Sequence, residues 1–308
     1  MKLPKGLALT LVLLFRIPAI AALNYTITGT RGVVPIPESE LQASVSEGPA
    51  LGSGAAELQP RPRPSKTTNF RLDKRNLYSE NWAGIYWASP DPTTTPVAML
   101  GGYWVVPTPT FRAGTKDPSA TQTISEWIGV DGIFNENMLY AGVTQTITSD
   151  GNTTTSVWWE WYPDARVTWA EWEGEGELFS PGDYVYVTFN LEIGTPGSYL
   201  VTFISPSSGT TYGAVASGGP TLDLSTAEWI VSADNGDAFP TFGDVKFFNI
   251  WAQVGTYAPT NSVPNLTIGG VGINLESMKD GKIFASTTTV SYWDTSYWFY
   301  VDSEDISI

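Results

Sequence analysis

From Asn76 onward the chain is a succession of short runs rich in tryptophan, tyrosine, valine and threonine, closed at close intervals by turn formers such as Asp150-Gly151-Asn152 and Pro181-Gly182-Asp183. No apolar stripe of helical period and useful length runs through it. Aromatic and β-branched side chains fit a pleated, half-buried surface, so the pattern predicts an all-β fold. Strands are expected over 81–87, 98–106, 123–130, 138–147, 154–162, 183–191, 198–204, 227–231, 245–254 and 290–301. Two antiparallel sheets packed face to face, a β-sandwich, bury such alternating faces most simply.

Alternation also assigns faces, because successive strand residues point to opposite sides. In the run from Met138, residues Leu139, Ala141, Val143 and Ile147 share the apolar side, with Gln145 as the polar exception. Tyr140 therefore points away from the core. The same count turns Ala227, Trp229 and Val231 inward and Glu228 outward, and it sets Trp159 and Trp161 against Trp158, Glu160 and Tyr162. Glu228, Glu160 and Tyr140 are thus expected on one non-core sheet face.

The N-terminus reads as a processing region. Lys2 and Lys5 precede an apolar run from Gly6 to Phe15 and the small-x-small pattern Ala19-Ile20-Ala21, the features of a secretory signal over residues 1–22. The run is shorter than the roughly 20 apolar residues that span a bilayer, so export without a membrane anchor is expected. Residues 23–75 have few large apolar side chains, several prolines and mixed charge, and end at the dibasic pair Lys74-Arg75. They are expected to be a propeptide, leaving residues 76–308 as the sandwich domain. An exported chain with no cysteine must rely on the size of its core.

Charge narrows the partners. Of the 16 Lys and Arg, three lie in the signal and seven in the pro-segment, and of the 31 Asp and Glu five lie in the pro-segment. The remaining domain holds six cations against 26 carboxylates, a net charge of −20. Nucleic acid and membrane surfaces are excluded as partners by that sign, and carboxylates that repel one another at neutral pH predict a protein built for acid. The pro-segment has a net charge of +2 and is expected to dock electrostatically on its own acidic domain.

The 308 residues contain no histidine and no cysteine. Ser-His and Cys-His nucleophile systems and ordinary zinc sites are therefore absent, and any catalysis rests on carboxylates, amides, hydroxyls and backbone dipoles. No cofactor or metal is expected. Four glutamates stand directly before a tryptophan, at Glu126, Glu160, Glu171 and Glu228. Glu126 falls on the face opposite Trp127, and Glu171 opens the alternating run Glu171, Glu173, Glu175, Glu177, which reads as a solvated edge in preference to a calcium site.

The segments NWAGIYW from Asn81, GYWVVP from Gly102, WIGVDG from Trp127, MLYAGV from Met138, WWEWYP from Trp158 and AEWIV from Ala227 occur in that order. As a set they resemble the eqolisins, the glutamic peptidases of fungi. The resemblance implies a concanavalin A-like sandwich, an active site on the concave sheet face, and a secreted, acid-acting endopeptidase made with a propeptide. It also implies that Glu228 is the catalytic general base. The family's partner residue is a glutamine, one position before that of Ala141; this chain has Tyr140 there. A phenol stays protonated in acid and can donate a hydrogen bond, but it lacks the amide's combination of acceptor and NH2 donor. The odd offset of Gln145 from Tyr140 puts Gln145 on the other strand face, which makes it an unlikely substitute.

Glu160 and Asp131 match positions with supporting roles in the family. For Asp131, followed by Gly132, the plainer reading is a turn aspartate that bonds its own backbone. Trp158 is a candidate substrate contact, and Asn152 and Asn265 begin glycosylation sequons, as does Asn24. The expected partners are polypeptide substrates and the chain's own propeptide, with a monomer as the working form. Two rival readings use the same residues: an inactive peptidase homologue, in which Tyr140 has ended catalysis, and a carbohydrate-binding or carbohydrate-hydrolysing sandwich whose carboxylates act on a glycosidic bond.

Overall fold

The computed structural model describes residues 23–31, 34–35, 45–47, 77–79, 82–89, 91–112, 121–135, 137–164, 166–169, 179–191, 197–233, 240–254, 271–279, 282–293 and 296–303. All regular structure among them is β, and no helix long and apolar enough to cross a membrane occurs there. The signal region, Lys74-Arg75, the Glu171–Glu177 run and Asn265 lie outside the described residues.

One sheet is built on the antiparallel succession of β5 (Trp82–Ala88), β14 (Thr226–Ser232), β7 (Gln122–Val130), β8 (Met138–Ile147), β9 (Thr153–Tyr162) and β10 (Val167–Trp169). β16 (Val271–Lys279) extends it beyond β5, and β4 (Leu77–Ser79) pairs with β16 in parallel. The second sheet runs from β18 (Ser296–Ser303) through β15 (Asp244–Val254), β6 (Val97–Val105), β11 (Tyr184–Asn190) and β12 (Ser198–Ser205) to β13 (Thr210–Ser217). β17 (Lys282–Trp293) pairs with both β16 and β18 and so joins the sheets at one side.

The core lies between the sheets. Ile128, Leu139, Ala141, Val143, Trp159, Trp161 and Trp229 of the first sheet pack with Leu100, Trp104, Phe189, Phe203 and Phe247 of the second. Large rings sit against small partners: Trp229 donates its indole N–H to the Gly101 carbonyl at 3.1 Å, and a Cβ on Gly102 would lie 3.2 Å from the same nitrogen. Indoles buried in this way need an acceptor, and here the opposite sheet's backbone supplies it.

Strand positions follow the sequence pattern closely in the first sheet. The expected strand over 290–301 is instead a hairpin, because the chain reverses between Trp293 and Ser296. β1 (Asn24–Arg31) lies in the segment expected to be a propeptide, and it pairs antiparallel with β13 over eight positions, from Asn24 opposite Ser217 to Arg31 opposite Thr210. β2 (Val34–Pro35) turns back on β1, and β3 (Val45–Glu47) pairs with β10 at the edge of the other sheet. Leu23 packs against the main core. These contacts are backbone ladders, and the paired strands carry only Arg31 and Glu47 as charged residues. The other charged residues of 23–75, on which the expected electrostatic docking rests, lie outside the described residues.

Candidate active site

Register places the candidate residues in one row. Glu228 on β14 lies opposite Tyr86 on β5 and Gly129 on β7, Gly129 lies opposite Tyr140 on β8, and Tyr140 lies opposite Glu160 on β9. Residues directly opposite in an antiparallel pair project to the same face. The row Tyr86, Glu228, Gly129, Tyr140, Glu160 therefore crosses the outer face of the sheet, as alternation predicts for its last members.

A second apolar cluster covers that face, made of Tyr86, Trp127, Met138, Tyr140, Trp158 and Ile230, separate from the inter-sheet core. Glycines make room for its rings. A Cβ on Gly129 would lie 2.8 Å from the Cβ of Tyr140, and one on Gly142 would lie 2.6 Å from the Cβ of Trp127. Tyr140 and Trp158 pack edge to face, with centroids 5.1 Å apart at 79°, and Tyr140 and Trp127 are tilted at 59° with centroids 5.3 Å apart. Hydroxyls satisfy the indoles: Trp127 donates to Ser232 at 2.9 Å and Trp158 to Thr144 at 2.7 Å.

Glu228 is fully buried and accepts a hydrogen bond from the Thr226 hydroxyl at 3.0 Å. Across β5, burial and then the Glu228 charge push the Tyr86 phenol up to about 12. At the other end of the row, Glu160 is buried and pairs with Arg166 at 2.9 Å, and the Arg166 guanidinium lies 3.9 Å above the Trp158 ring. Burial and then the Glu160 carboxylate raise the Tyr140 phenol well above its usual range, opposed by Arg166. The Tyr140 hydroxyl donates to Glu160 and accepts from Arg166. Trp158, proposed from sequence as a substrate contact, is only 1% exposed, with Arg166 stacked on its ring.

Asp131 supports this face from its end. Its backbone takes a left-handed φ of 64°, which aspartate tolerates better than most side chains. Its carboxylate accepts from the Leu224 N–H at 2.8 Å, the Ser225 N–H at 2.7 Å and the Ser225 hydroxyl at 2.9 Å. The plainer reading, an aspartate bonding its own turn, is therefore corrected: Asp131 clamps the segment that leads into β14 and so fixes the entry of Glu228 into the row.

Gln145 and Glu126 lie on the other side of the sheet. Gln145 is buried and donates to the Pro107 carbonyl, and Glu126 is buried on the core side of β7. Asn152 is exposed in the turn after β8, where its amide donates to Asp150 at 2.7 Å. Two residues of the site, Tyr86 and Arg166, were missed from sequence. Tyr86 sits in the NWAGIYW segment, where β5 alternates regularly, with Ala83, Ile85 and Trp87 towards the inter-sheet core and Trp82, Tyr86 and Ala88 on the outer face, so the same count of faces could have placed it there. Arg166 is one of six cations in the 76–308 region, a scarcity that could have marked it. Among the described residues no group of three or more acidic side chains is gathered to hold a metal ion.

Residues 80–293 match the family model of the Peptidase A4 family. The chain is 27% identical over 240 residues to Aspergillopepsin-2 of Aspergillus niger, an alignment covering 70% of this chain and 78% of that protein. Its fold is similar to that of scytalido-glutamic peptidase with a transition state analog inhibitor, at a TM-score of 0.52 and 17% identity, covering 73% of this chain and 98% of that one. It is similar as well to SCP-B, a member of the Eqolisin family in complex with the tripeptide Ala-Ile-His, at a TM-score of 0.50, 16% identity and the same coverage of 73% and 98%.

Proposed function

The chain belongs to the Peptidase A4 family, and from that membership we propose that it is a secreted, acid-acting glutamic endopeptidase with Glu228 as general base. The observation that carries this reading is the row on the outer sheet face, in which a buried carboxylate and a buried phenol flank Gly129. A carboxylate can both take and give a proton near its own pKa, so the chemistry belongs to acid. Glu228 removes a proton from water as the water oxygen bonds to the scissile carbonyl carbon. The carbonyl π electrons move to oxygen, and when the tetrahedral intermediate collapses, the C–N bond breaks and Glu228 returns its proton to the leaving amine.

Tyr140 takes the place in which the resemblance expects an amide. Its hydroxyl proton is shared with Glu160, so it is a weaker donor to a substrate oxyanion than a free amide. Loss of an oxyanion donor costs about a hundredfold to a thousandfold in rate, so the reading predicts a slow enzyme. Glu160 and Arg166 hold Tyr140, and Asp131 holds the entry to β14. The full burial of Glu228 fits a site that must open before substrate enters.

Cleavage of an unfolded protein between about pH 2 and 5 tests the reading, using the chain with and without prior treatment by a dibasic-specific protease. Wild type should cleave, and Tyr140→Gln should cleave up to about a hundredfold faster. Cleavage by Tyr140→Gln alone would identify an inactive homologue. Hydrolysis of oligosaccharides without proteolysis would sink the peptidase reading.

A further inference from the structure

Glu228 has two cross-strand neighbours, and only one carries a side chain. On β7 it is Gly129, while on β5 it is Tyr86, one inter-strand step away and on the same face. Tyr140 is two steps away, beyond the glycine. Adjacent strands lie about 4.8 Å apart, so Tyr86 is the nearer phenol by about one such spacing. Its ring is fixed by burial and by Phe134, which stands edge-on to it at 6.0 Å and 82°. The two phenols also differ in where their protons go. A tyrosine hydroxyl has a single proton to donate, and that of Tyr140 goes to Glu160. Tyr86 feels the charge of Glu228 and takes part in no side-chain hydrogen bond among the described residues.

Building on the peptidase reading, we propose that Tyr86 is a catalytic residue that donates its hydroxyl hydrogen bond to the oxyanion formed when the Glu228-activated water adds to the scissile carbonyl. No proton leaves Tyr86 in this step. The water proton goes to Glu228, the carbonyl electron pair becomes the oxyanion, and the phenol O–H points at that oxygen until the C–N bond breaks. A phenol held neutral well into alkali is suited to this task, because it never competes with Glu228 for the proton in acid. The missing amide on β8 is thus offset by a phenol on the opposite flank of the base.

The experiment compares wild type, Tyr86→Phe, Tyr86→Gln and Glu228→Gln on a peptide substrate in acid, with the fold of each checked by circular dichroism. Tyr86→Phe is expected to lower kcat about a hundredfold or more while KM changes less than about threefold. It should weaken binding of a phosphinic peptide, which mimics the tetrahedral intermediate, by a similar factor. Tyr86→Gln, which restores an N–H donor, should recover at least a tenth of wild-type kcat. If Tyr86→Phe keeps wild-type kcat while Glu228→Gln is dead, this proposal is overturned and the base stands. If Tyr86→Phe does not fold, a Tyr86→Gln variant that folds and has no activity overturns it in the same way. If wild type cleaves nothing, or Glu228→Gln cleaves as well as wild type, the peptidase reading fails and this proposal fails with it.

Discussion

Glu126 and Glu228 are both glutamates followed by a tryptophan, both lie within strands and both are fully buried. What separates them is parity: Glu228 alternates with the core residues Ala227 and Trp229, whereas Glu126 shares the core side of β7 with Ile124 and Ile128. Burial alone would have ranked them equally. Tyr86 shows what a buried titratable group does to stability. Its folded-state pKa, about 12, lies above the unfolded value near 10, so between those values the folded state holds more protons. Its contribution is complete below about pH 10 and is lost as pH rises towards about 12, by no more than about 3 kcal/mol. Tyr86→Phe should flatten the alkaline fall in stability measured by denaturant titration between about pH 9 and 12; an unchanged slope would show that Tyr86 titrates normally. Glu228, Glu160 and Tyr140 were legible as members of one face because alternation is local. The nearness of Tyr86 to Glu228 was not, because it depends on which strands become neighbours, and β5 and β14 are separated by 137 residues.

At the scale of elements, β8 has the bounds its composition predicts, since Leu139, Ala141 and Val143 alternate cleanly. β13 (TTYGAVAS) was missed because its small residues and glycine give a weak periodic signal. β1 (NYTITGTR) was missed because its polar threonines resemble a linker. Both are stabilised chiefly by pairing, which no local pattern displays. The eight-residue ladder between them bears on the proposed processing. Without β1, β13 would expose an unpaired edge, the kind of surface that recruits other strands. If the chain is cut after Arg75, as proposed, the ladder and the packing of Leu23 are the contacts expected to hold the severed segment. The released segment should therefore co-elute with residues 76–308 in size-exclusion chromatography at both low and high salt. Dissociation on raising salt would instead restore electrostatic docking as the dominant force.

For the molecule as a whole, charge and fold pull in different directions. Repulsion among the 26 carboxylates of residues 76–308 is relieved by acid. Asp91, held below the usual carboxylate range by the Thr93 hydroxyl and then that of Thr94, works the other way, as does Asp150 through Thr148. Their stabilisation is present above the unfolded pKa near 4 and is lost as pH falls through the lower folded values; both groups are exposed, so the effect is small. The thermal midpoint should rise as pH falls from about 8 to 4 and decline only below about 3, and a midpoint climbing steadily towards pH 8 would contradict this. The sandwich and the family were legible because six motifs keep their order along the strands. The phenol proposed as partner of Glu228 was not, because Tyr140 departs from the motif and a proposed replacement can be sought only in three dimensions.

The most direct test of the central claim is the cleavage of an unfolded protein in acid by wild type and by Glu228→Gln, the two compared at matched fold. An active wild type and a loss of at least about a hundredfold in kcat for Glu228→Gln is the predicted result. Equal cleavage by the two proteins would contradict the assignment of Glu228 as general base.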